Sequence, residues 1–156
     1  KTLQKHKIFD NLLNQNFKVN CKNKVWCTDF TYIRRPNGKF RYNCSITDLY
    51  DRVAIASVNG DYINTQLAID TLTQALEKEK YLRFLHSDQG VKYTSWEFVN
   101  FCKDNNVTRS MSKAGCPYDN AAIERFYNTF KSNFYNVAGF TSAEAMDELT
   151  AKYINY

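Results

Sequence analysis

The sequence predicts an α/β fold in which helices flank a five-stranded mixed sheet on both faces. Two observations about order lead to this prediction. Three strand-like runs follow one another between residues 24 and 58, and helical and strand-like segments alternate after them. A third observation is size, because 156 residues are enough for one domain with a substantial core.

The first three strands are expected to form an antiparallel meander. Strand one covers Lys24–Arg34, and its apolar and polar residues alternate as in a pleated strand. The turn sequence at 36–38, Pro-Asn-Gly, joins it to strand two, Lys39–Leu49, as a hairpin. Strand three, Arg52–Val58, is rich in β-branched residues, and the Asn-Gly-Asp sequence at 59–61 is expected to end the sheet there.

The second half predicts helices that alternate with two further strands. Asn64 or Thr65 caps a helix that runs to about Lys80, and Thr94 or Ser95 caps a second helix that runs to about Asn105. The remaining predicted elements are strand four at 81–86, strand five at 107–111, a polar loop at 112–119, a third helix that ends near residue 135 and a fourth helix that begins at 141 or 142.

The net charge of +5 is unevenly distributed along the chain. Residues 1–41 contain ten Lys or Arg and two acids, whereas residues 42–156 contain eleven bases and fourteen acids. This asymmetry favours an anionic partner such as nucleic acid, and a solubilising surface is the alternative. We expect residues 1–23 to form a linker or docking arm and residues 24–156 to form the core domain.

Composition also excludes several classes of protein. No apolar run approaches the ~20 residues of a membrane span, so no membrane partner is expected. The five cysteines never form a C-x-x-C pair, which argues against a disulfide framework or a zinc knuckle and fits a reducing compartment. Most of them are expected to be buried free thiols.

Three acids are placed as they are in sites that hold divalent metal. Asp29 lies inside strand one, Asp88 follows strand four, and Glu124 lies on the third helix. Carboxylate oxygens suit Mg²⁺, or Mn²⁺ in its place, and crowded carboxylates repel one another without a cation. Gly90 would let the backbone approach this site closely. For Asp29 a hydrogen-bonded structural role is the alternative, and for Glu124 taken alone it is a solvated surface position.

Basic residues beside the acids and on the predicted hairpin are candidates for contacts with DNA phosphates. Each of them is alternatively a solvated surface charge. These candidates are Arg34, Arg35, Lys39 and Arg41 on the hairpin and Lys113, Arg125 and Lys131 beside the site.

Three motifs together resemble the catalytic core of bacterial insertion-sequence transposases. The motifs are TDFTYI at 28–33, HSDQG at 86–90 and SMSKAGCPYDNAAIERF at 110–126, and 35 residues lie between Asp88 and Glu124. Within these transposases they resemble the IS-three or IS-one-fifty group, and this resemblance implies a relationship to retroviral integrase and a ribonuclease-H-like fold. The resemblance implies that Asp29, Asp88 and Glu124 are metal ligands. The residues that it places along the site or the DNA path are His86, Gln89, Gly90, Asn120 and Lys131.

This resemblance implies an activity, a cofactor and a location. Two Mg²⁺ ions would support cleavage of DNA at the element ends and strand transfer into a target, carried out by a homo-oligomer on DNA. The bacterial cytoplasm, at the nucleoid, is the expected location. A catalytically silent DNA-binding or assembly module and a ribonuclease H remain alternatives. A ribonuclease H takes a Glu from its first helix, whereas Glu77 and Glu79 lie at the far end of the helix predicted here.

Overall fold

The five strands form one mixed sheet in the order β3-β2-β1-β4-β5. The computed structural model describes residues 7–12, 19–35, 37–80, 84–112, 125, 127–128, 147 and 150. Its elements are β1 (Val25–Arg34), β2 (Phe40–Asp48), β3 (Ala54–Gly60), α1 (Thr65–Lys78), β4 (Phe84–Ser87), α2 (Val91–Thr94), α3 (Trp96–Asp104) and β5 (Arg109–Met111). The predicted five-stranded mixed sheet with flanking helices is therefore confirmed.

The strands β1, β2 and β3 form the predicted antiparallel meander, and β4 and β5 extend the sheet in parallel with β1. The turn between β1 and β2 depends on Gly38, which has a φ of +82° and donates its N–H to the Arg35 carbonyl over 2.9 Å. The prediction that the sheet ends before Asn59 is wrong, because Asn59 and Gly60 still pair with β2. Asn59 stays in the strand because its side chain accepts a hydrogen bond from Asn43 Nδ2 over 2.8 Å.

Helix α1 begins as the sequence predicts. The Asn64 side chain accepts the Leu67 N–H over 2.9 Å, and the buried stripe of α1 includes Ala68, Leu72 and Ala75. Ser95 caps α3 in the same way, through a longer bond to the Phe98 N–H of 3.5 Å. The short helix α2 between Asp88 and Ser95 was not predicted, since four residues are too few to show helical periodicity.

One face of the sheet packs against α1 and α3 around a continuous apolar core. That core comprises Trp26, Ile46, Ala56, Ala68, Leu72, Ala75, Leu85, Tyr93, Phe98, Cys102, Val107 and Met111. The opposite face is more polar, and the buried residues Tyr127 and Thr150 contact it. In the part of the chain that the structure describes, no helix is long and apolar enough to cross a membrane.

Residues 7–12 lie along the outer edge of β5. The Met111 N–H donates to the Asp10 carbonyl over 3.1 Å, and the Lys7 N–H donates to the Thr94 carbonyl over 2.8 Å. The Phe9 ring lies 5.1 Å from the guanidinium of Arg109, which is also 4.6 Å from the Phe98 ring. These contacts place residues 7–12 directly against β5 and the end of α2.

Candidate active site

Two of the three predicted acids are brought together by the pairing of β1 with β4. These strands are parallel, and Cys27 lies opposite His86. Two residues further along each strand, the same register places Asp29 opposite Asp88, directly after the end of β4. Neighbouring strands are about 4.8 Å apart, and residues two apart point to the same face. Continued by two residues past its last pair, the register therefore brings the backbones of Asp29 and Asp88 next to each other.

The Asp88 carboxylate is held by the backbone that follows it. Its Oδ1 accepts the Gly90 N–H over 2.7 Å, and the side chain is only partly buried. A Cβ at residue 90 would lie 2.8 Å from that same oxygen, which is too close for any other residue to fit without movement. The predicted role of Gly90 in close backbone approach is thus supported by a specific contact. Among the described residues, no basic side chain forms an ion pair with Asp88.

Asp29 is more open to solvent than its position in a central strand would predict. Cys27 and Ile33 on the same face are buried, whereas Asp29 is partly exposed, and its Oδ1 accepts the Phe30 N–H over 2.8 Å. The pairing between β1 and β4 stops at Cys27, which leaves Asp29 beyond the last paired residue of the shorter strand. The expected cost of desolvating this carboxylate is therefore smaller than the sequence suggests.

Tyr127 is a residue of this site that the sequence analysis missed. Its side chain is buried, its hydroxyl donates a short hydrogen bond to the Asp29 carbonyl, and it accepts the Ser45 N–H over 3.1 Å. It thus ties the helical segment that includes residues 127 and 128 to both β1 and β2. A signal for it exists in the sequence, since Ile123, Tyr127, Phe130 and Phe134 follow a 4-3-4 spacing.

His86 is fully buried in β4, two residues before Asp88. Its Nδ1 shares a hydrogen bond of 2.8 Å with Ser110 Oγ on β5, and the same oxygen accepts the Leu12 N–H over 2.8 Å. This arrangement favours the structural alternative for His86, because the contacts connect strands and the arm rather than face the carboxylates. Gln89 is partly buried between Asp88 and Gly90, where it remains a candidate for the site.

Arg41 is already engaged inside the protein. Its guanidinium is buried, with Nη1 at 2.6 Å from Asp61 Oδ1 and Nη2 at 3.1 Å from Asp147 Oδ1. Two carboxylates therefore satisfy this cation, and the structure does not favour the predicted phosphate contact at Arg41. By contrast, Arg34 and Lys39 are exposed, Arg35 is partly buried, and Arg125 is exposed.

The predicted residues Lys113, Asn120, Glu124 and Lys131 lie outside the described residues. Within the described residues no group of three or more potential ligands converges, so the candidate site among them consists of Asp29 and Asp88. Two adjacent carboxylates are a hard oxygen donor set, and each is partly open to solvent. These features fit a divalent cation such as Mg²⁺ better than they fit a soft metal.

The chain matches known families along its whole central and C-terminal part. Two family models, both described as an integrase core domain, match residues 19–117 and 105–156. The transposase for insertion sequence element IS904 from Lactococcus lactis is 39% identical over 147 residues, which are 92% of this chain and 57% of that protein. The transposase InsF for insertion sequence IS3A from Escherichia coli is 34% identical over 149 residues, which are 94% of this chain and 51% of that protein. The chain therefore spans about half the length of the curated relatives it matches.

Solved structures share the fold at lower sequence identity. The HTLV-2 integrase catalytic core domain in complex with magnesium aligns with a TM-score of 0.68 and 17% identity, over 85% of this chain and 84% of that one. The catalytic domain of Mos1 transposase, with raltegravir and magnesium, aligns with a TM-score of 0.67 and 15% identity, over 85% of this chain and 71% of that one.

Proposed function

The chain belongs to the family of integrase core domains, and from this premise we propose that it is the catalytic core of an insertion-sequence transposase. It would cut DNA at the ends of the element and join those ends to a target, as a metal-dependent polynucleotidyl transferase. The observation that supports the proposal is the register of β1 and β4, which, continued by two residues, brings Asp29 in the middle of β1 next to Asp88 just after the end of β4. The expected location is the bacterial cytoplasm, at the nucleoid.

Asp29, Asp88 and Glu124 are the proposed ligands of divalent metal. Two Mg²⁺ ions, or Mn²⁺ in their place, would activate the attacking oxygen and neutralise charge that develops on the phosphate and the leaving oxygen. The contribution of the protein is positional. Gly90 holds Asp88 through its N–H, and the Tyr127 hydroxyl holds the backbone of Asp29. Magnesium in the two solved relatives supports this cofactor.

Glu124 is proposed as the third ligand on the basis of sequence spacing and one neighbouring contact. It precedes Tyr127 by three residues, and Tyr127 is fixed to the Asp29 carbonyl. On the helix that the sequence predicts here, residues three apart are neighbours on the helix surface. This neighbourhood supports a third carboxylate at the same end of the sheet.

Substrate and assembly are also part of the proposal. Gln89, Gly90 and Asn120 would line the path of the DNA, and His86 would support Asp88 from within the sheet. The proposed phosphate contacts are Arg34, Arg35, Lys39, Lys113, Arg125 and Lys131. The solved integrase core of HTLV-2 has a dimeric and a trimeric form, which supports assembly of this chain into a homo-oligomer on DNA.

A ribonuclease H activity is the competing catalytic reading, and the position of α1 argues against it. Gly60 pairs with Tyr42, so α1 follows β3 from the hairpin end of the sheet, the end towards which β1 and β4 run. Its last turn lies at the other end, where Lys78 Nζ donates to the Ile55 carbonyl over 2.9 Å. Glu77 is in this last turn, on a helix that packs against the Trp26 face of the sheet, whereas Asp29 lies on the opposite face, and the first turn of α1 contains no acid.

The test compares metal-dependent cleavage of two substrates. The protein is incubated with a labelled DNA duplex and, separately, with an RNA–DNA hybrid, each with Mg²⁺ or Mn²⁺ and with the metal chelated. Nicking or joining of the duplex that needs the metal and is lost in Asp88→Asn is the expected result. Cleavage of the hybrid alone would support the ribonuclease reading, and retarded mobility of DNA without any cleavage would support a silent binding module.

A further inference from the structure

The hairpin of β1 and β2 exposes large aromatic rings at one end of the sheet. Tyr32 and Phe40 are 53% and 44% exposed, and their ring centroids are 5.3 Å apart with an interplanar angle of 88°. Tyr62 is 73% exposed and follows Gly60, which pairs with Tyr42 on the same hairpin. Aromatic pairs are usually buried, so an edge-to-face pair that remains about half exposed to solvent is typical of a binding surface.

The charge of the hairpin segment that carries Tyr32 and Phe40 is of one sign. Between residues 30 and 47 the sequence contains four basic residues and no acid. Arg41 is neutralised internally by Asp61 and Asp147, whereas Arg34 and Lys39 are exposed beside the rings. Phe40 lies directly opposite Arg34 in the register of the two strands. The surface therefore combines ring faces with cations, and its complement is a polyanion that carries aromatic groups.

We propose that Tyr32 and Phe40 form a stacking platform for unpaired bases of the DNA substrate, and that Arg34 and Lys39 bind phosphates of the same strand. Bases within a duplex already stack on their neighbours, so exposed protein rings select single-stranded segments. The inference rests on the proposed function, and it adds the form of DNA that this hairpin recognises.

The platform lies within reach of the two acids. Tyr32 is three residues beyond Asp29, which corresponds to about 10 Å along β1. The pairing of β1 with β4 ends at Cys27, so no described strand pairs with that edge of β1 alongside Tyr32. Asp29 and Tyr32 point to opposite faces of β1. A DNA strand bound at Asp29 and Asp88 would thus pass around this unpaired edge of β1 to reach the rings. Bases freed next to the cleaved phosphate are the expected occupants.

Binding without metal tests this platform separately from catalysis. Fluorescence anisotropy is measured with a labelled single strand and with a blunt duplex of equal length, in the presence of a chelator. The double variant Tyr32→Ala/Phe40→Ala is expected to raise the dissociation constant for the single strand about tenfold or more, and that for the duplex less than about twofold. Tyr50→Ala is the matched control, since Tyr50 is 48% exposed at the opposite end of β2, and it should change neither constant.

The conservative variant Phe40→Tyr should bind the single strand as the wild type does, because it keeps the ring, and thermal melting shows whether the alanine variant folds. An equal loss of affinity for the single strand and the duplex, or no loss of affinity for either, would overturn the platform. So would loss of self-association in sedimentation with unchanged DNA binding, which would assign the rings to a second copy of the chain. If the wild type nicks DNA but the alanine variant keeps the same dissociation constant for the single strand, only the platform is contradicted. If the rings bind the single strand selectively but the wild type does not nick DNA, only the catalytic proposal is contradicted.

Discussion

Asp29 makes two hydrogen bonds within the protein and is also a proposed metal ligand. Its backbone carbonyl accepts the Tyr127 hydroxyl, and its side-chain Oδ1 accepts the Phe30 N–H. These two contacts use different groups, so the side chain can be changed without losing the anchor on the backbone. An amide in place of the carboxylate keeps an acceptor oxygen for the Phe30 N–H and removes the negative charge.

Asp29→Asn is expected to abolish DNA nicking while the melting temperature stays equal or rises. The reason is that the substitution removes one of two adjacent like charges, which repel each other when no metal is bound. Nicking of a labelled duplex with Mn²⁺ and thermal melting by circular dichroism are the measurements. Asp104→Asn, at an exposed position near the end of α3, is the control and should leave both unchanged. A variant of Asp29 that unfolds would instead identify a structural carboxylate.

Buried thiols make the stability of the fold sensitive to alkaline pH. Burial raises the pKa of the Cys27 thiol to about 12 and that of the Cys44 and Cys102 thiols to about 11, from a reference of 9.0. Above pH 9 the unfolded chain loses these protons before the folded chain does. The stability that they contribute is therefore complete below about pH 9 and is lost as the pH rises towards the folded pKa.

The variant Cys44→Ala isolates this effect for one thiol. The difference in the free energy of unfolding between wild type and variant should shrink between pH 9 and pH 11, by at most roughly 1.4 kcal/mol per pH unit. Urea denaturation at a series of pH values measures it. Ile46→Val is the control, because it changes a buried residue that has no titratable group, and its difference from wild type should not change with pH. A constant difference for Cys44→Ala as well would contradict the raised pKa.

At the scale of elements, the Tyr127 hydroxyl connects the helical segment that includes residues 127 and 128 to two strands. Tyr127→Phe removes this hydroxyl and leaves the buried Ser45 N–H and the Asp29 carbonyl without that partner. The expected cost is about 1–3 kcal/mol of unfolding free energy, together with slower DNA nicking at a temperature where the variant remains folded.

Chemical denaturation and single-turnover nicking measure these two effects. The control is Tyr93→Phe, which removes another buried tyrosine hydroxyl, one that contacts Thr28 and Cys44 on the apolar side of the sheet. It should lower stability without a comparable effect on nicking. Equal loss of nicking in both variants would show that the role of Tyr127 is general packing rather than placement of the site.

The elements that the sequence predicts correctly are those with a strong local signal. The β1–β2 hairpin follows from the turn at Gly38, and α1 follows from the Asn64 cap and its apolar stripe. The predicted end of β3 is wrong, because Asn59 continues the strand pairing through contacts with Asn43 and with Asp147, which lies 88 residues away. Local composition does not report such distant partners.

The same contrast between local sequence signals and distant partners applies to the candidate site. The motif at 86–90 predicts Asp88 and the role of Gly90, and the family resemblance that includes it is confirmed. The sequence cannot show that β4 pairs with β1 at Cys27 and His86, since parallel pairing joins segments far apart in the chain. The internal use of Arg41 was hidden for the same reason, because its partners are Asp61 and Asp147.

For the whole molecule, the charge asymmetry predicts how DNA binding should depend on salt. Each phosphate contact contributes about 0.9 to the slope of log K against log salt concentration for a duplex. The hairpin residues Arg34 and Lys39 are exposed and adjacent in the β1–β2 turn region, whereas Lys80 and Lys103 are exposed elsewhere. Removing either pair changes the net charge of the molecule equally.

The double variant Arg34→Ala/Lys39→Ala should therefore reduce the magnitude of the salt slope by roughly 1.8, because two phosphate contacts are lost. The double variant Lys80→Ala/Lys103→Ala changes the total charge by the same amount and should leave the slope nearly as it is in the wild type. Anisotropy titrations of a blunt duplex between ~50 and ~200 mM salt measure both slopes. Equal reductions would mean that DNA responds to the overall charge of the domain, whereas a reduction confined to the hairpin pair would place the DNA backbone along β1 and β2.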